Sequence, residues 1–70
     1  MLMPQVNQVK ACLASLKSLE AGLNELQIQT TDEDAHDVFR EGALKVRTIA
    51  REVEDQIHVL ELNKSKNLSN

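Results

Sequence analysis

Apolar residues recur along the first half of this chain at Val9, Cys12, Leu16, Leu19, Leu23 and Leu26, in alternating steps of three and four residues. That spacing collects them on one face of an α-helix, as the a and d positions of a heptad. Val6 and Leu13 stand beside this seam at e and widen it, whereas the later e positions hold Glu20 and Gln27. Pro4 suits a first helical turn, where its missing N–H would be unpaired in any case. The pattern predicts a helix over about 4–28.

The second half repeats the spacing at Ala35, Phe39, Gly42, Val46, Ile49, Val53 and Leu60, with Gln56 in the one polar d position and Ala43, Ala50 and Ile57 at e. A helix over about 32–62 is predicted. Glu41 with Lys45 and Arg51 with Asp55 are i,i+4 pairs suited to its outer face. Leu44, Val59 and Leu62 fall outside the stripe. Between the two patterns lies Gln29 to Ala35, which reads as a reversal. Thr30 followed by Glu33, or Thr31 followed by Asp34, offers a capping box for the second helix. Asp32, Glu33, Asp34 and Asp37 crowd acid into its first turns, where the helix dipole favours each charge by about 0.3–1 kcal/mol.

Two helices joined by so short a connection pack antiparallel. The expected fold is all-α: one antiparallel helical hairpin over 1–63, followed by a flexible Ser-, Asn- and Lys-rich tail over 64–70. Residues whose numbers sum to about 61 are expected to face one another. Leu26 would then meet Ala35, Leu23 meet Phe39, Leu19 meet Gly42 and Ala43, Leu16 meet Val46, Cys12 meet Ile49, Val9 meet Val53 and Leu2 meet Leu60. A lone hairpin gives each helix one neighbour and leaves part of so broad a stripe in water. Pairing two hairpins into a four-helix bundle covers it. The expected partner is therefore a second copy, in a homodimer whose interface draws on Val6, Val9, Leu13, Leu16, Ala43, Ala50 and Ile57.

Size strengthens this expectation. With 70 residues, a single core rarely supplies more than about 3–5 kcal/mol. The one cysteine cannot close an internal disulfide and no Cys/His cluster suggests structural zinc, so self-association is the remaining supplement. The net charge of −3 is uneven: the first helix is neutral, the second carries nine acids against four bases, and the tail is basic. Without clustered Lys or Arg, nucleic acid is not an expected partner. No apolar run approaches the 18 or so residues of a membrane span, and Met1 to Met3 is too short for a signal sequence. The first helix has two lysines, two glutamates and no aromatic residue, a poor match to a membrane-surface helix. No direct membrane insertion is expected, and the expected location is cytoplasmic.

Candidate chemistry is sparse. Glu33 with His36, and Asp55 with His58 and Glu61, have the carboxylate and histidine spacing of di-metal bundles, which makes a metal-binding four-helix bundle the alternative reading. The heptad, however, places Glu33 at b, Asp55 at c and His58 at f, all outward, and only His36, at e, borders the core. The two groups lie about 33 Å apart along one helix at 1.5 Å per residue, so only antiparallel packing on a second copy about Arg47 would join them. Cys12, at d, reads as a small core hydrophobe without a basic neighbour to lower its pKa, an intermolecular disulfide being the other option. Glu20 is expected to lean toward solvent or toward a base on the neighbouring helix. No metal, cofactor or catalytic residue is assigned, and the chain is not expected to be an enzyme.

Val9-Lys10-Ala11-Cys12-Leu13-Ala14-Ser15-Leu16-Lys17, then Ile28-Gln29-Thr30 with Asp32-Glu33-Asp34-Ala35 and Phe39, and more faintly Val53-Glu54, Ile57 and Leu60-Glu61, resemble the domain of unknown function 1657 family of spore-forming Firmicutes. The resemblance runs from about Val9 to Glu61. It implies a short helical protein whose relatives are often encoded near spore-membrane and germination-channel genes or fused to a membrane-protein domain. The family pattern commonly has a proline where this chain has Asp55 and then an acidic, aromatic-containing tail, whereas here the helix can continue into a basic one. The resemblance carries over no catalytic residue. It implies a structural or adaptor module in the forespore or spore, with a protein partner at a membrane complex.

Overall fold

The computed structural model describes the chain from residue 5 to residue 68, with side chains over 5–63. Two helices, α1 (Val6–Gln29) and α2 (Glu33–Leu68), pack on each other, and the described residues contain no strand. Overall extents of 58 × 20 × 15 Å are two helix diameters in one direction and little more than one in the other. A molecule one helix thick has no enclosed interior. Accordingly, among the described residues only Ala43, Ala50 and Ile57 are buried.

At the start of α1 the Gln5 N–H donates to Gln8 Oε1 at 3.2 Å. Pro4, and the expected meeting of Leu2 with Leu60, lie outside the described residues. Thr30 N–H closes α1 on the Leu26 carbonyl at 2.9 Å. The cap of α2 differs from both boxes read in the sequence. Asp32 Oδ1 accepts the N–H groups of Asp34 at 2.9 Å and Ala35 at 3.2 Å, while Thr30 Oγ1 accepts from Asp32 N–H at 3.3 Å. A carboxylate is the stronger acceptor for orphan amides at the positive end of a helix, so the aspartate takes the cap and Thr30 braces it. α2 runs on through Leu68, into the segment read as a tail.

The helices are antiparallel, because Lys10 reaches Glu61 and Lys17 reaches Glu54. Their seam is rotated from the expected one. On α1 the half-buried residues are the a and e positions, from Val6, Val9, Leu13 and Leu16 to Glu20, Leu23 and Gln27. On α2 the seam joins Phe39, Val46, Val53 and Leu60 at a to the buried Ala43, Ala50 and Ile57 at e. Of the d residues only Ala35 and Gly42 are half-buried; the others are left out. Leu19 is 52% exposed, Leu26 45% and Ile49 46%, and Cys12 and Gln56 are exposed as well. The register also moves by about one helical turn: Gly42 meets Leu23 rather than Leu19. Ala43 and Ala50 at e let the helix backbones approach, and the same closure half-buries Glu20 and Gln27 of α1 while leaving Gln56 in solvent.

Candidate interaction surface

Closing the hairpin through a and e gives it two unlike broad sides. On one side the b positions of the helices lie together. Lys10 Nζ stands 3.0 Å from Glu61 Oε2 and Lys17 Nζ stands 3.9 Å from Glu54 Oε2. Half-exposed pairs of this kind contribute about 0–1 kcal/mol each, but they fix which side faces which. Glu20, half-buried, lines a depression there with Lys17, Arg47, Ala50, Arg51 and Glu54, and among the described residues forms no ion pair. The intrahelical pairs expected of Glu41 with Lys45 and Arg51 with Asp55 are not among the ion pairs of the described residues. The ion pairs that bridge helices run between α1 and α2.

On the other side the d positions lie together, and among the described residues they carry no charge: Cys12, Leu19 and Leu26 from α1, with Ala35, Gly42, Ile49 and Gln56 from α2. The half-buried a residues run between these rows. Two depressions on α2 continue the surface outward, one lined by Leu44, Lys45, Thr48 and Ile49, the other by Asp37, Val38, Glu41, Gly42 and Lys45, so the d row is uncharged but its outer edge on α2 is not. This is the most distinctive surface on the molecule.

The residues assigned to a dimer interface from sequence are brought together, but within one chain. Val6, Val9, Leu13 and Leu16 are half-buried in the hairpin seam, and Ala43, Ala50 and Ile57 are buried in it. Leu19, Leu26 and Ile49, at d positions expected inside, face solvent instead, as do Ile28, Val38, Leu44, Val59 and Leu62 outside the stripe. The signal that could have exposed the exchange is the alanine pair at 43 and 50, small enough to mark the closest helix–helix approach.

The alternative metal group is not assembled within the chain. Glu33, Asp55 and His58 are exposed, Glu61 engages Lys10, and His36 Nδ1 lies 3.8 Å from the adjacent Asp37 Oδ1. Among the described residues no three His, Cys, Asp or Glu side chains stand close enough to share one ion. Cys12 is exposed on the d side, not enclosed as its d position suggested. No helix among the described residues is long and apolar enough to cross a membrane.

Fold and surface together define a two-helix antiparallel hairpin with one ion-paired side and one side whose d row is uncharged and largely apolar. The chain belongs to the family described as "Protein of unknown function (DUF1657)", whose model matches residues 9–57. That span runs from Val9 to Ile57 and so contains the turn and most of the seam. No curated protein and no solved structure matches the chain.

Proposed function

We propose that this protein is a non-enzymatic helical module that works by self-association, as a structural or adaptor element. The observation that carries the reading is the d side of the hairpin, where Leu19, Leu26 and Ile49 remain about half exposed. Solvated apolar rows of this kind mark interaction sites. A second copy of the hairpin offers the same rows, and two hairpins face to face make a four-helix bundle. Resemblance to the family's sequence pattern adds a setting: a cytoplasmic or forespore role in sporulation, beside a membrane-protein complex, without direct insertion.

Sedimentation equilibrium tests the central point. The expected result is a species of twice the 7.8 kDa chain mass at micromolar concentration. A stable monomer under those conditions overturns the proposal. Affinity capture from sporulating cells tests the setting, which is overturned if no membrane-complex component is retained.

A further inference from the structure

We infer that the second copy seats on the d side with its α2 antiparallel to the first α2, about a two-fold axis at Ile49, so that Lys45 of each chain meets Glu52 of the other. This rests on the self-association reading and specifies its face, orientation and register.

Area sets the demand. A compact monomer of this mass exposes about 4,400 Å², whereas this chain exposes 5782 Å². The excess, about 1,400 Å², belongs to the elongated shape of the chain as a whole and leaves room for the roughly 800 Å² each partner gives to a standard interface. The b side is already bridged within the chain by Lys10–Glu61 and Lys17–Glu54. The d side is the one left to cover.

Charge sets the orientation. A helix added against the d row of α2 is flanked on its solvent edge by the g positions, which are Val38, Lys45, Glu52 and Val59. In an antiparallel pair centred between residues 48 and 49, Lys45 falls opposite Glu52 of the second copy and Val38 opposite its Val59. Ile49 then meets its own counterpart near the axis. A parallel, in-register pair would set Lys45 against Lys45 and Glu52 against Glu52. Among the described residues neither Lys45 nor Glu52 has an ion-pair partner within its own chain, so both charges are available.

The same axis brings the two α1 helices together. Their g row is Gln8, Ser15, Gly22 and Gln29, uncharged and small at its centre, so it admits a second α1 at close range. A side chain at Gly22 would meet nothing within 4 Å in this chain, although glycine costs a helix about 1 kcal/mol relative to alanine. Close approach of a second α1 accounts for it.

The test uses the full chain. Lys45→Glu and Glu52→Lys are each expected to weaken dimerisation about ten-fold in sedimentation, since each turns two facing attractions into repulsions. The double exchange is expected to restore it. Ile49→Cys on a Cys12→Ser background is expected to oxidise to a linked dimer, whereas Arg40→Cys on the ion-paired side is not. Circular dichroism confirms that each variant remains helical. A wild-type dimer in which the double exchange fails to rescue and Ile49→Cys fails to link overturns this arrangement while leaving self-association standing. A wild type that is monomeric alone, or that associates only with a different protein, overturns both.

Discussion

Leu23 lies directly against Gly42: a methyl group built on the glycine would stand 3.5 Å from Leu23 Cδ1, in ordinary van der Waals contact. This pairing fixes the register of the hairpin. Carried along by heptads, the same offset sets Leu16 level with about Ile49 and Ala50 and Val9 level with about Gln56 and Ile57; of these it is Ala50 and Ile57, at e, that are buried.

Because that contact has room for a methyl group and the Gly42 backbone is helical, Gly42→Ala should stabilise the chain by about 0.5–1 kcal/mol through helix propensity. The urea midpoint measures it. A lower midpoint would show that the helices approach more closely at Leu23 than described.

Ala50 is 5% exposed and faces α1. Ala50→Leu should overpack the seam and cost about 1–3 kcal/mol. The contrasting change is Leu44→Ala, at an outward residue 48% exposed, which should stay within about 0.5 kcal/mol of wild type. The reverse ranking in thermal or urea unfolding would mean the seam runs along another face.

Asp32 accepts both cap hydrogen bonds of α2. Asp32→Ala should therefore cost about 1 kcal/mol, whereas Thr31→Ala, at an exposed turn position, should cost little. Equal losses in the two variants would return the cap to the threonine.

His36, His58 and the carboxylates near them are dispersed along α2. Elemental analysis of the purified protein should therefore find no stoichiometric iron, manganese or zinc. Metal present in the wild type and lost in His36→Ala would reinstate the metal-binding bundle.

Several features were legible from residue order because their causes are local. Heptad spacing from Val9 to Leu26 and from Ala35 to Leu60 is enough to define two amphipathic helices. The polar, acid-rich run at Gln29 to Ala35 is enough to separate them and to place a helix start within a residue or two. Shortness of the connection makes the pair antiparallel. Even the choice of Asp32 over Thr30 or Thr31 as the cap is a small displacement, settled by which oxygen points at the amides of Asp34 and Ala35.

By itself, then, the sequence determined two helices, their reversal and a stripe too wide for one neighbour. Only the tertiary structure decided which part of the stripe closes the hairpin. Periodicity puts d and e on opposite flanks of the same a row, and it cannot rank them, because both flanks are apolar in places and polar in others. The choice depends on shape and charge between residues far apart in sequence: Ala43 and Ala50 permit close backbone approach, and Lys10 and Lys17 meet Glu61 and Glu54 only when b faces b. That choice turns Cys12, Leu19, Leu26 and Ile49 outward, and it is why the residues expected to join two chains join the two halves of one.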